Sequence, residues 1–137
     1  MPAPYELALY QALDDVLTPV LAALTPSTAY YDLADPNSPY PFVELASIDF
    51  STNPEITLDQ QIATVTFSVF SSARGRAEVI RIQSAMRAAL HTVNSPVQPP
   101  LDTGRIVLGL HLDSTQSLDG DGLSYMGRSV FQFNIAP

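Results

Sequence analysis

One stretch constrains the fold more than any other: residues 61–93, which read as a strand, a short polar turn and a long amphipathic helix. Between Ala63 and Val69 the odd positions are apolar (Ala63, Val65, Phe67, Val69), and the even ones, Thr64, Thr66 and Ser68, are small and hydroxylated. A period of two with β-branched residues marks a strand buried on one face. The run Ser71-Ser72-Ala73-Arg74-Gly75-Arg76 breaks that period, and Val79, Ile82, Met86, Leu90 and Val93 then recur at spacings of three and four. Such a stripe covers one side of a helix and needs an apolar partner, the nearest being the strand just before it. Gly75 with Glu78 three residues on forms a variant capping box; Ser72, a stronger cap, opens the helix one turn earlier in the alternative reading. Ser95-Pro96 is expected to end it.

The rest of the chain adds strands and one more helix to this nucleus. In residues 5–24, Leu9, Leu13, Leu17, Val20 and Leu24 lie on one helical stripe that Pro19 interrupts. Proline inside a helix removes a hydrogen bond and clashes with the preceding turn, and Thr18-Pro19 makes a good cap and first helical position. The expected arrangement is a helix to about Leu17 and a short second helical turn to about Leu24, with a single kinked helix as the alternative. Thr28–Asp32 reads as a short strand, Asp35-Pro36-Asn37-Ser38-Pro39 as a loop, and Phe42–Asp49 as a second strand. Residues 50–59 form a loop or the tip of a long hairpin. Beyond the extended Gln98-Pro99-Pro100 connection, Ile106, Leu108, Leu110 and Leu112 alternate with Arg105, His111 and Asp113, which point the other way. Leu118-Asp119-Gly120-Asp121-Gly122 is a turn. The last strand, from about Tyr125, sets Phe131, Phe133 and Ile135 against Arg128, Gln132 and Asn134, and pairs with its predecessor as an antiparallel hairpin.

The order helix, strand, strand, strand, helix, strand, strand predicts an α+β fold: a mostly antiparallel sheet of four to five strands with two main helices packed on one face. At 137 residues the chain has the size of a single domain, residues 1–137. The other face of the sheet, with Thr64, Thr66, Ser68, Arg128, Gln132 and Asn134, is polar and faces water or a neighbouring subunit.

Chemistry is constrained mainly by what is missing. The chain has no Cys, which excludes disulfides, thiolate catalysis and cysteine zinc sites. With no Lys there is no P-loop, and no Gly-x-Ser-x-Gly elbow occurs. No apolar run approaches the roughly 20 residues needed to cross a bilayer, and no basic segment followed by an apolar one opens the chain, so neither membrane association nor secretion is expected. His91, near the end of the long helix, suits the helix dipole; His111 is placed on the polar side of a strand, and no His-x-x-x-His spacing supports a metal. Counted from Asp119, the twelfth position of a calcium loop is Val130, not Glu, so Asp119 and Asp121 read as hairpin-turn residues. No catalytic residue, cofactor or metal is therefore expected. The net charge is −8, and four of the six Arg (Arg74, Arg76, Arg81, Arg87) fall in one short region. Arg74 and Arg76 read first as a solvated helix start; cations sit badly with the dipole there, which leaves an acidic partner, including another copy of this acidic chain, as the alternative.

The chain resembles a family of small tail-completion, or tail-terminator, proteins of long-tailed phages and phage-like gene transfer agents. The resemblance spans essentially the whole chain. It is carried by the Leu-rich N-terminal helix (Tyr10, Leu13, Leu17), Tyr40-Pro41-Phe42-Val43 entering a strand, Val69-Phe70-Ser71 ending one, and Gly75-Arg76-x-Glu78 with a helix closing on Ala89-Leu90. The Asp-Gly turn at Asp119–Gly122, Gly127, and the aromatic strand with Phe131 and Phe133 complete it. It implies a structural virion protein, assembled in the host cytoplasm, that forms a ring of typically six subunits on the head-proximal end of the tail tube. The implied partners are itself, the major tail tube protein and a head-completion or connector protein, with DNA passing through the lumen without specific binding. Arg74, Arg76, Arg81, Arg87, Asp119 and Asp121 are the expected subunit or partner contacts. The alternatives are a head-completion or neck protein and a small-molecule-binding α+β module or enzyme.

Overall fold

The structure is a computed structural model that describes residues 5–35, 37–52, 61–71, 75–91, 105–118 and 125–136. Its elements follow the expected order: α1 (Tyr5–Ala22), β1 (Ala29–Tyr31), β2 (Phe42–Thr52), β3 (Gln61–Phe70), α2 (Ala77–Leu90), β4 (Arg105–Leu118) and β5 (Tyr125–Ala136). The five strands form one sheet in the order β1-β2-β3-β5-β4. All neighbouring pairs are antiparallel except β1–β2, which is parallel. The fold is α+β, with both helices on one face.

The alternation in β3 does what it predicts. Ala63, Val65, Phe67 and Val69 are all fully buried, and each sits across from a partner that is itself apolar or small: Phe133, Phe131, Ser129 and Gly127 on β5. Phe67 meets Phe131 edge-on at 5.9 Å between centroids. From α1 come Leu9, Leu13, Leu17 and Leu21, from α2 Val79, Ile82, Met86 and Leu90, all in the same buried cluster. Each such side chain contributes about 1.5–3 kcal/mol through removal from water.

Several expectations are corrected. The favoured break at Pro19 does not occur: α1 is one helix that carries Pro19 inside it. Pro19 lies in the last turn, its carbonyl still accepts from the Ala23 N–H at 3.2 Å, and the price of the missing bond is met by burying Leu17 and Leu21 on either side of it. The stripe accordingly runs through Leu21, while Val20 and Leu24 are only part-buried. The expected capping box is also absent. Arg76 is the N-cap of α2 and makes no side-chain cap bond; the Glu78 carboxylate instead accepts from the Ser71 hydroxyl at 2.6 Å, tying the helix start to the end of β3. Ser72 lies outside the described residues. α2 ends at Leu90 with His91 as C-cap, and Val93 and Ser95-Pro96 lie outside the described residues. Strand β2 continues to Thr52, opposite Gln61, as the hairpin alternative required; residues 53–60 are outside the described set.

The largest correction concerns β4. Its even-numbered leucines do not form one buried row. The register slips between Ile106 and Leu108 and again between His111 and Asp113. A slip of one residue exchanges the two faces of a strand. Ile106 pairs with the buried Ile135, but Leu108 and Leu110 pair with Asn134 and Gln132 on the polar face, and Leu112 is 49% exposed. His111 pairs with buried Phe131 and its ring meets Phe131 at 5.3 Å, so it belongs to the helix-covered face and not to the polar one.

Gly127 marks the closest approach of α2 to the sheet. A Cβ built there would sit 2.5 Å from Val79 Cγ1 and 2.6 Å from Gln83 Nε2. Gly127→Ala should therefore push the helix off the strand and lower stability by about 1–3 kcal/mol, the usual cost of overpacking. Chemical denaturation compared with a surface control such as Ser117→Ala checks this.

Candidate functional site

Three of the polar residues that the sequence singled out, His91, His111 and Arg87, meet at the seam between α2, β4 and β5, together with Gln83, which the sequence reading passed over. Gln83 is buried there because its position on α2 faces Gly127, where there is no side chain to exclude it. Its Nε2 donates to the Thr115 carbonyl at 3.0 Å and the Arg128 carbonyl at 3.2 Å, and its Oε1 accepts from Gln116 Nε2 at 2.8 Å. The side-chain amide thus satisfies backbone acceptors that face the helix from two neighbouring strands.

One turn further along α2 lies a hollow lined by Ile80, Gln83, Ser84, Arg87, His111, Ser114 and Gln116. The His111 N–H donates to His91 Nδ1 at 3.1 Å, His111 Nε2 lies 2.6 Å from the Ser114 hydroxyl, and Ser114 in turn lies 3.2 Å from the Ser129 hydroxyl. The fold therefore does bring the two histidines together. It does so by making His91 Nδ1 a hydrogen-bond acceptor, so this ring fastens the helix end to β4. Among the described residues no group of three or more His, Asp or Glu could hold a metal ion. A His and a Ser in contact are the beginnings of a nucleophilic pair, yet Ser114 is turned into a hydrogen-bond chain with buried Ser129. The arrangement pins the helix to the sheet.

Of the six sequence-predicted contact residues, Arg74, Asp119 and Asp121 lie outside the described residues. Arg76, Arg81 and Arg87 do not form one patch. The Arg76 guanidinium lies over the Tyr125 ring, 4.7 Å from its centroid, a cation–π arrangement. Arg87 lines the hollow on the β4 side. Arg81 points the other way, its Nη1 3.4 Å from the Thr25 carbonyl beyond the end of α1. Helix geometry explains the split. At about 100° per residue, positions 76, 80 and 87 share a flank while position 81 lies roughly 100–140° from them. That arithmetic was available in the sequence; grouping the arginines by proximity along the chain missed it.

The opposite side of the molecule is acidic and aromatic. The Tyr10 hydroxyl donates to Asp32 at 2.9 Å, and this contact holds the phenol above its usual titration range. The Ala34 N–H donates to the Glu44 carboxylate at 2.8 Å. Tyr31, Tyr40 and Phe70 gather around Phe42 on the face away from the helices, at 5.8, 5.4 and 4.9 Å between centroids. A hollow of about 390 Å³ lies between the end of α1, β1 and the Pro39-Tyr40-Pro41 segment.

Burial, Arg87 and His91 together hold His111 below its ordinary value of 6.5, with burial the largest cause. A lowered histidine means that the unfolded chain binds the proton more readily. This contribution to stability is therefore complete above pH 6.5 and is lost as the pH falls through the folded-state value. His111→Gln should flatten the stability profile on the acid side of neutrality, and Arg87→Gln should raise the His111 midpoint followed by its imidazole proton resonances.

Comparison with known proteins follows the same lines. The family described as "Tail completion protein gp17" matches this chain over residues 8–136. No curated protein matches. Among solved structures, a chain from the "Virion of native gene transfer agent (GTA) particle" superposes with a TM-score of 0.70 at 22% identity, covering 96% of this chain and 94% of that one. That likeness shows a shared fold.

Proposed function

The chain belongs to the tail completion protein gp17 family, and from that premise we propose that it closes the head-proximal end of a phage tail tube as a ring of identical subunits, typically six. Membership makes it a structural protein of the phage tail and not an enzyme. The ring, its position on the tube and its partners are the proposed part. Its partners in this reading are other copies of itself, the major tail tube protein and a head-completion or connector protein.

The observation that carries the reading is the extent of the family match, from residue 8 to residue 136, which takes in every strand and almost all of α1. Two physical features support it. A head-to-tail ring needs a heterologous interface in which different patches meet, and the described surface differs in character from one lateral edge of the sheet to the other. The net charge of −8 also suits a passage for DNA, because non-specific binding is driven by neutralisation of phosphates.

The test is assembly. Native mass spectrometry of the purified protein, alone and with purified tail tubes, should give a closed ring in solution or a ring seated on tube ends. Particles made without the protein should carry overlong tubes. Tubes of normal length that fail to join heads would assign the chain to the neck instead. Tight binding of DNA to the assembled ring at low salt would remove the proposed inert lumen.

A further inference from the structure

The exposed apolar side chains are not scattered. Among the described residues the large exposed ones are Leu7, Tyr10, Leu33, Tyr40, Ile80, Leu112 and Leu118. The first four belong to α1 and to the connection between β1 and β2. The last three belong to α2 and β4. Since β1 and β4 are the two edges of the sheet, they fall into two groups at opposite sides of the molecule.

Helix geometry fixes which flank each group occupies. Tyr10 reaches Asp32 just past β1, so its flank of α1 is the one on the β1 side, and Leu7 and Asp14, three and four residues away, share it. On α2, Ile80 and Arg87 line the hollow with His111, Ser114 and Gln116 of β4, so their flank is the β4 side. The two helices pack against each other between these flanks.

Charge divides in the same way. No Arg, Lys or His occurs before Arg74, whereas Glu6, Asp14, Asp15, Asp32, Asp35, Glu44 and Asp49 all do. All six Arg lie from Arg74 onward, offset by Glu78, Asp102, Asp113, Asp119 and Asp121. The sheet order carries this division into space: α1, β1 and β2 come from the acidic half, while α2, β5 and β4 come from the half that holds every cation. A single copy thus presents an acidic edge with Leu7, Tyr10 and Leu33, and a second edge with Ile80, Leu112, Leu118, Arg76 and Arg87.

We infer that the α2/β4 edge of one copy docks on the α1/β1 edge of the next copy, head to tail. The inference deepens the ring reading and rests on it. An isologous pairing would bring two acidic edges together, or two edges carrying Arg87, and like charges face to face cost several kcal/mol. Only the heterologous arrangement joins both apolar groups and opposite charges in one contact. The contact also covers the outer side of β4, a long strand that forms an edge of the sheet among the described residues, and folded chains normally protect such edges.

The test is a charge exchange between Asp14, exposed on α1, and Arg87, in the last turn of α2. Asp14→Arg alone and Arg87→Glu alone each place like charges across the contact, and each should weaken self-association about tenfold per interface, measured by native mass spectrometry or by capping of tail tubes. An equimolar mixture of the two single variants should recover assembly. In an alternating arrangement each Arg87→Glu edge meets an Asp14→Arg edge, and each remaining contact keeps its native pair. Recovery in the mixture also demonstrates that both variants are folded, and thermal unfolding by circular dichroism checks each alone. If the wild type assembles and the single variants assemble as well as it does, or if the mixture fails to recover, this edge pairing is wrong and the ring reading stands. If the wild type assembles neither in solution nor on tubes, the ring reading falls and the contact with it.

Discussion

The structure depends on one constraint: β3 lies in the middle of the sheet and has a single face that must be kept from water. Ala63, Val65, Phe67 and Val69 are completely buried on that face, and nothing within the strand can cover them. The sheet neighbours β2 and β5 extend the apolar surface sideways with Val43, Leu45, Phe131, Phe133 and Ile135, and two helices are then needed to roof it. The leucines of α1 cover the β1–β2 side and the stripe of α2 covers the β5–β4 side. Where α2 comes closest, the sequence must provide a residue without a side chain, and Gly127 is there. The absence of that side chain in turn admits Gln83, whose amide ties β4 and β5 to the helix through hydrogen bonds that a buried amide must make.

This hierarchy explains what was legible in advance. The alternation in β3 and β5 could be read because both strands lie inside the sheet with a regular register, so each residue type reports its own face. The stripe of α2 could be read for the same reason. Strand β4 could not, because an edge strand is free to bulge. Its apolar residues Ile106, Leu108, Leu110 and Leu112 carry a perfect period of two, and two register slips redistribute them to different faces. No local signal marks those slips; Gly109 between them is the nearest to one. Pro19 was misjudged for a related reason. Local preference argued for a break, and the burial of Leu17 and Leu21 in one continuous row prevailed.

The candidate site was legible as a list of residues and not as a surface. Arg76 and Arg87 are together with Ile80 on one flank of α2, and Arg81 is on the other, a distinction that 3.6 residues per turn makes and that closeness in sequence hides. The histidines were harder. His111 reaches the covered face only because β4 slips, and the bond from its N–H to His91 needs the end of α2 to lie over that strand. Neither condition is written in the residues themselves.

Net charge and charge distribution act at different ranges in such a molecule. At physiological ionic strength charges more than about 8 Å apart are largely screened, so the overall −8 does not by itself dictate how copies would meet. Contact is governed by what lies within that distance, and there the two edges differ: among the described residues α1, β1 and β2 contribute carboxylates and no cation, while the other edge holds guanidinium groups beside exposed leucines. An asymmetric unit of this kind has a direction. In the head-to-tail arrangement proposed above, copies in the wrong orientation would set like charges face to face, while copies head to tail would repeat one contact at every step. The confinement of the cations to the second half of the sequence, and a sheet order that separates the two halves, are what give the proposed contact its direction.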